Sequence, residues 1–190
     1  MVHWKTSRQD FLPLLEGNAR FRLTNRDFRE LASSQDPKFI VISCSDSRVS
    51  PSLILDAPLG NLFEIRIAGE VVDETVIGSV EFAVDILGTK RILVIGHTGC
   101  GAVTAAYNSL RGKNPLPEGP GLASLVRDIY GAISKIPEEN PTLETCIREN
   151  ILRQADKLLH SEIIRKRSES GELIIGAALY HLDTGELSTI

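Results

Sequence analysis

Two short segments of the 190-residue chain bring together sulfur, imidazole and charged side chains at close spacing. The first contains Cys44, Asp46 and Arg48, and the second contains His97 and Cys100. Thiolate sulfur and imidazole nitrogen are preferred zinc ligands, and a site with three protein ligands leaves one tetrahedral position open for water. Cys44, His97 and Cys100 are therefore a candidate catalytic zinc site, since structural zinc ions are normally closed by four protein ligands.

Other interpretations of these residues stay open on the pattern alone. Cys44 and Cys100 could form a disulfide, although three cysteines do not suit a secreted disulfide scaffold. Asp46 and Arg48 could be a surface ion pair, and the glycines around Cys100 could form an anion-binding turn at the start of a helix. Cys146 lies on an apolar helical stripe and is predicted to be a core residue.

The elements around the two segments alternate between strands and helices. Short β-branched and apolar runs predict strands at 38–43, 62–68, 91–96, 173–182 and 187–190. Apolar residues repeating at three and four predict helices at 14–23, 75–87, 101–111, 122–135 and 140–167. The predicted fold class is α/β: a central, mostly parallel sheet flanked by helices, with a short C-terminal hairpin at the sheet edge. Both chemical segments follow predicted strands, and the carboxyl ends of strands are where such sheets bind ligands.

Length and composition suit a single domain over 1–190 with an N-terminal helical arm at about 5–30. Hydrophobic residues make up 42% and charged residues 24%, which excludes a disordered chain. The net charge is −4, and the densest basic run, 165–167, ends a predicted helix, so a nucleic-acid surface is not expected. No apolar run approaches the roughly 20 residues that span a bilayer, and the first 11 residues lack the apolar stretch of a secretion signal. We therefore expect a cytoplasmic protein without a membrane partner.

The order of residues within the two segments is specific. The first reads Cys44-Ser-Asp-Ser-Arg48 and the second reads Gly96-His-Thr-Gly-Cys-Gly-Ala102. Together they resemble the signature pair of the β-class carbonic anhydrases, and weaker similarity extends over about residues 10–187, including Glu16-Gly-Asn-Ala-Arg-Phe21. The resemblance implies reversible hydration of carbon dioxide to bicarbonate and a proton by a zinc-bound hydroxide. It places one Zn²⁺ per chain on Cys44, His97 and Cys100.

The resemblance also assigns a catalytic dyad and a pocket. Asp46 would accept a hydrogen bond from the hydroxide while Arg48 holds its carboxylate away from the metal. In part of the family the aspartate becomes a fourth zinc ligand at lower pH, so Asp46 is a possible fourth ligand in a closed state. The family's pocket matches, by position, Gln35, Phe63, Ala68, Phe82 and Gly101. Part of that pocket comes from a neighbouring subunit in the family, which implies a homodimer or a higher homo-oligomer.

Ile67 and Glu70 depart from the family pattern, which often has asparagine at these positions. The added carboxylate could alter hydrogen bonding near the site or substrate preference, and the sequence does not say which. Two other functions stay open: a zinc hydrolase of a sulfur analogue such as carbon disulfide, and a non-catalytic zinc-stabilised domain that binds bicarbonate or a partner protein. Asp46, Arg48 and Gln35 argue against the second, because a structural metal needs none of them. Two thiolates cancel the charge of the metal, so we expect activity to rise toward alkaline pH.

Overall fold

The structure is a computed structural model that describes residues 11–24 and 28–190. The chain forms two compact units, Met1–Gln35 and Asp36–Ile190. Both segments that carry candidate chemistry belong to the second unit.

Two helices lie in the described residues of the N-terminal unit. α1 spans Leu12–Arg22 and α2 spans Phe28–Ser33. The rings of Phe21 and Phe28 lie 5.6 Å apart, which brings the two helices into contact. The predicted helix at 14–23 is confirmed, whereas parts of the predicted arm, 5–10 and 25–27, lie outside the described residues.

Five strands form one sheet in the C-terminal unit. They are β1 (Phe39–Ser43), β2 (Leu62–Arg66), β3 (Arg91–His97), β4 (Ile174–Tyr180) and β5 (Leu187–Thr189). Their order is β2-β1-β3-β4-β5; the first four strands run parallel, and β5 pairs antiparallel with β4. The predicted fold class is confirmed, including the C-terminal hairpin. β1 and β3 consist mainly of buried β-branched residues, as expected of parallel strands with both faces covered.

Helices flank this sheet. They are α3 (Pro51–Ile54), α4 (Glu74–Glu81), α5 (Gly101–Leu110), α6 (Pro120–Ile133), α7 (Leu143–Leu158) and α8 (Glu162–Glu169). α4 continues as a π-helical turn over Phe82–Ile86. α7 packs against β3 and β4, and α5 packs against α6 and α7. Within the described part of the chain, none of the helices has the length and apolar character to cross a bilayer.

The single helix predicted at 140–167 is wrong. The chain forms α7 and α8 instead, with a break at Leu159 to Ser161. The Ser161 hydroxyl accepts the Ile164 N–H at 3.3 Å, so a serine cap begins a new helix inside the apolar repeat. α7 is capped by Thr142, because the Thr142 side chain accepts a backbone N–H of the first turn.

The strand predicted at 62–68 ends at Arg66, and a 3₁₀ turn follows at Ala68–Glu70. Gly69 has φ of 68° and Glu70 has φ of 46°, so two successive residues adopt the left-handed conformation. A Cβ atom at Gly69 would lie 2.6 Å from Cδ1 of Ile129, so any other residue would have to displace this side chain and would also be strained at this positive φ.

Candidate metal centre

The register of two neighbouring strands brings the two chemical segments together. Ser43 at the end of β1 pairs with Ile95 of β3. Cys44 therefore leaves the sheet beside the end of β3, where His97 is the last residue of the strand. After His97 the chain turns through Gly99 at φ 66° and places Cys100 at the N-cap of α5.

Three ligand atoms converge at this point. One ligand atom each of Cys44, His97 and Cys100 lies within 4.8 Å of the others, and all three residues are buried. The two sulfur atoms are 3.9 Å apart. Two thiolates on one tetrahedral zinc ion at 2.3 Å each would be separated by roughly 3.8 Å, so the observed spacing fits this metal without rearrangement. The structure contains no Cys44–Cys100 disulfide, since all three cysteines are free.

The imidazole of His97 is oriented for metal binding. Its Nδ1 lies 3.0 Å from the carbonyl oxygen of Thr98. Because a carbonyl only accepts hydrogen bonds, Nδ1 carries the proton and Nε2 presents a lone pair. Nε2 is fully buried and has no hydrogen-bond partner among the described residues. A buried orphaned lone pair beside two sulfurs is what a metal ligand looks like before the metal binds.

The two thiols differ in acidity. The pKa of Cys44 is lowered, chiefly because the Cys100 thiol can donate a hydrogen bond to its sulfur, with further contributions from His97 and the Gly69 N–H. The pKa of Cys100 is raised by the same contact and by burial. The pair therefore holds one negative charge, and binding of a cation would release the second thiol proton.

Asp46 and Arg48 form a bidentate ion pair beside the sulfurs. Nε and a terminal nitrogen of Arg48 donate to the two carboxylate oxygens at 2.9 and 2.8 Å, and the Arg48 backbone N–H donates at 3.0 Å. These side-chain and backbone hydrogen bonds hold the pKa of Asp46 well below its usual range. Oδ2 of Asp46 lies 3.8 Å from Nε2 of His97, so the carboxylate faces the metal position.

Sequence reasoning gave no role to Arg66, which also supports this pair. Arg66 ends β2 beside Ser43, and its guanidinium donates to the Asp46 carbonyl oxygen at 2.9 Å. The position of Arg66 at the carboxyl end of a strand predicted to lie in the same sheet is the sequence feature that could have indicated this role. Three elements thus fix the dyad: the turn after β1, the Arg48 side chain and the end of β2.

Comparisons with known proteins agree with this geometry. A family model described as carbonic anhydrase matches residues 39–187. Carbonic anhydrase 2 of Mycobacterium tuberculosis is 31% identical over 96% of this chain and 88% of its own length. The solved structure of the β-carbonic anhydrase CcaA superposes with a TM-score of 0.79 at 30% identity, covering 95% of this chain and 94% of that one. The chain belongs to the β-carbonic anhydrase family.

A second solved relative supports the same assignment. The Coccomyxa β-carbonic anhydrase in complex with acetazolamide gives a TM-score of 0.82 at 25% identity over 95% of this chain and 86% of that one. The chain is therefore an enzyme of this family, and zinc is the cofactor that suits its metal centre.

The residues predicted for the family's pocket are spread along the chain. Phe63 and Phe82 are brought together, with ring centroids 6.4 Å apart. Phe63 pairs with Ile40, which precedes Cys44 by four residues, so its level in the sheet is roughly 13 Å from that ligand. Phe82 is 45% exposed.

The other predicted pocket residues occupy three different places. Ala68 begins the 3₁₀ turn and is half-buried, and Gly101 is the first residue of α5. Gln35 belongs to the N-terminal unit, where its side chain is exposed. Their roles in substrate binding stay predictions.

Glu70, whose effect the sequence did not predict, is completely buried. Nδ2 of Asn150 donates to its Oε1 at 2.8 Å, while Oε2 has no partner among the described residues. Burial, followed by the nearby charge of Cys44, raises the pKa of Glu70 to about 8. This member of the family thus carries a carboxyl group in the core behind its metal centre.

Replacing Glu70 with glutamine is expected to stabilise the protein at alkaline pH but not at acidic pH. The pKa of Glu70 is about 8 in the folded state against an ordinary 4.5, so the folded state binds a proton that the unfolded state loses. As pH rises through this window, ionisation favours unfolding; glutamine does not titrate and escapes the penalty. The full shift corresponds to something on the order of 5 kcal/mol.

Urea unfolding of Glu70→Gln and the unaltered protein at about pH 5 and about pH 9 measures this effect as a change in the stability difference between them. Glu172→Gln, at an exposed glutamate, is the matched control and is expected to leave stability unchanged at both pH values. A stability difference for Glu70→Gln that stays the same at the two pH values would contradict the prediction.

Proposed function

We propose that this enzyme hydrates carbon dioxide reversibly to bicarbonate and a proton, with zinc held by Cys44, His97 and Cys100. The observation that carries the proposal is the buried Nε2 of His97, which lacks a hydrogen-bond partner among the described residues and faces two sulfurs that are 3.9 Å apart. Zinc bound there supplies the Lewis acidity that makes a water molecule nucleophilic near neutral pH. The three residues would supply three ligands and leave one tetrahedral position for that water.

In this proposal Asp46 accepts a hydrogen bond from the reacting water, and Arg48 positions the Asp46 carboxylate. Because its pKa lies well below the usual range, the Asp46 carboxylate stays ionised during turnover and acts only as a hydrogen-bond acceptor. It can therefore orient the reacting water by accepting a hydrogen bond from it. The bidentate contact from Arg48 keeps both oxygens in place.

The same contact controls whether Asp46 reaches the metal. Both of its carboxylate oxygens accept hydrogen bonds from Arg48, so ligation of zinc by Asp46 would require at least one of these bonds to break. The dyad in this structure therefore corresponds to an accessible metal position. Closure of the site by Asp46 at low pH stays a prediction for this member.

We propose a homodimer as the minimum active form. Phe63 lies at a level roughly 13 Å from the Cys44 of its own chain, and Phe82 beside it is nearly half exposed. An apolar pocket for carbon dioxide needs such rings, and a second copy can bring them to the metal centre of its neighbour. Sedimentation that finds only monomers at active concentrations would contradict this arrangement.

We propose the cytoplasm as its location, supported by three free cysteines of which two lie 3.9 Å apart without a bond. Reducing compartments keep such thiols available for metal. Neither carbon disulfide hydrolysis nor a non-catalytic zinc domain is favoured by any contact in the described residues. The Asp46–Arg48 pair faces the metal position and would be superfluous in a structural site.

Metal analysis combined with a stopped-flow assay of carbon dioxide hydration tests the proposal. We expect one zinc per chain and a rate that increases between about pH 6 and about pH 9, because two thiolates reduce the effective charge of the metal. Stoichiometric zinc without hydration would leave only a binding domain. Turnover of carbon disulfide alone would favour the sulfur substrate, and a rate independent of pH would contradict the expected effect of the thiolates.

A further inference from the structure

The turn that follows β2 delivers a backbone donor to one of the sulfur ligands. The N–H of Gly69 lies 3.3 Å from Sγ of Cys44 and donates to it. A hydrogen bond to a thiolate withdraws electron density from the sulfur, which changes how strongly the sulfur donates to a metal. The placement of this one N–H therefore affects the metal centre directly.

The turn holds this position in a conformation that needs external support. Glu70 has φ of 46°, one of two non-glycine residues with positive φ in the described parts of the chain. Side chains rarely adopt this conformation unless neighbouring groups impose it. On one side of the turn the support is apolar, because the side chains of Ile129 and Ala102 pack against Gly69.

On the other side, a polar side chain of α7 grips the turn at two points. Nδ2 of Asn150 donates to the Gly69 carbonyl oxygen at 3.0 Å and to Oε1 of Glu70 at 2.8 Å. The amide orientation is unambiguous because the Gly69 carbonyl can only accept. Asn150 is completely buried, so it contributes nothing to solubility.

A second buried amide one helical turn later holds Asn150 and the next part of the chain. Nε2 of Gln154 donates to Oδ1 of Asn150 at 3.1 Å, and Oε1 of Gln154 accepts the Val72 N–H at 2.8 Å. Nε2 also donates to Asp128 at 3.0 Å, and Asp128 pairs with Lys157. The chain of bonds therefore runs from the side of α7 to the Gly69–Glu70 turn.

We propose that Asn150, supported by Gln154, is a positioning residue that fixes the Gly69 N–H on the Cys44 sulfur and so tunes the metal centre. Apolar side chains could fill this part of the core without that cost, since burying an amide lowers stability unless its polar atoms are hydrogen-bonded. The two amides are satisfied by the segment 69–72, which is the segment that reaches the sulfur. The inference rests on the proposed function only in taking Cys44 as a metal ligand.

Cobalt substitution provides a readout that a purely structural role would not move. Asn150→Leu removes the two hydrogen bonds to the turn and keeps the number and branching of the non-hydrogen side-chain atoms. With the hydrogen bond to sulfur weakened, the thiolate-to-cobalt charge-transfer band is expected to shift to longer wavelength, and zinc affinity measured by chelator competition is expected to fall about 10- to 100-fold. Leu158→Val, a buried substitution on the same helix, is the control and should leave band and affinity unchanged.

Asn150→Leu with an unchanged band and unchanged zinc affinity would overturn the positioning role. If that variant does not fold, Gln154→Met decides: a shift in the same direction supports the role, and an unmoved band overturns it. A cobalt-loaded unaltered protein without any thiolate band would instead overturn the ligand set of the proposed function. Failure of the two proposals is thus distinguishable in one series of spectra.

Discussion

Replacing His97 with alanine is expected to abolish stable zinc binding and, with it, carbon dioxide hydration. The substitution deletes the buried Nε2, which has no hydrogen-bond partner in the described parts of the chain, and it leaves two sulfurs to hold the ion. Structural zinc sites with four protein ligands bind the ion with about 10–16 kcal/mol, so loss of one of only three protein ligands here should weaken binding roughly 100-fold or more. Zinc per chain after dialysis against a chelator, followed by the hydration assay, measures both effects.

His160→Ala provides the matched control for this substitution. His160 is an exposed histidine after the end of α7, so the same chemical change there should leave zinc content and turnover intact. Full zinc occupancy in His97→Ala would remove the imidazole from the ligand set. Loss of zinc in both variants would point to a general effect of histidine removal on the fold.

The convergence of the three candidate ligands was predictable because their positions depend on local patterns. Cys44 directly follows β1, and His97 ends β3, where an apolar run marks each strand. Parallel strands deliver their carboxyl ends to one edge, so two ligands at strand ends meet wherever the strands are neighbours. Cys100 then needs only the short turn through Gly99 to reach the same point.

The surroundings of the ligands were not predictable in the same way. A glutamate shortly after a strand is normally expected to be exposed. Glu70 is instead buried, and Asn150, 80 positions later, donates a hydrogen bond to it in the core. Such a pairing depends on how α7 packs against the 3₁₀ turn, and no periodicity reports it. The break between α7 and α8 was missed for a related reason, since the apolar repeat continues through a serine that caps the second helix.

Gln35 and Phe63 mark the limit of transfer from family resemblance. Their sequence offsets from Cys44 match the family, but the position of Phe63 in the sheet separates it from the Cys44 of its own chain. An offset in sequence does not state which subunit uses the residue. The pocket therefore stays a proposal that depends on the homodimer.

Replacing Asp46 with alanine is expected to leave zinc in place and lower kcat/KM for hydration by roughly 100- to 1000-fold, the size of effect seen when one preorganised hydrogen-bonding group at a reacting centre is removed. None of the three ligand atoms belongs to Asp46, so metal content should not change. The pKa of Asp46 lies far below its usual range, and the carboxylate is therefore ionised throughout the assay range. The loss should accordingly be the same factor at every pH between about 6 and 9.

The aspartate on α7 that pairs with Arg153 supplies the control, because Asp156→Ala removes an exposed carboxylate outside the metal centre and should leave turnover unchanged. Unimpaired hydration in Asp46→Ala would exclude the dyad from the reaction. A loss confined to one end of the pH range would instead assign Asp46 to proton transfer, since a permanently ionised acceptor contributes equally at all pH values. The ratio of kcat/KM between the variant and the unaltered enzyme, measured as a function of pH, therefore distinguishes orientation of the water from proton transfer. Proton transfer to this carboxylate is unfavourable because Arg48 donates hydrogen bonds to both of its oxygens.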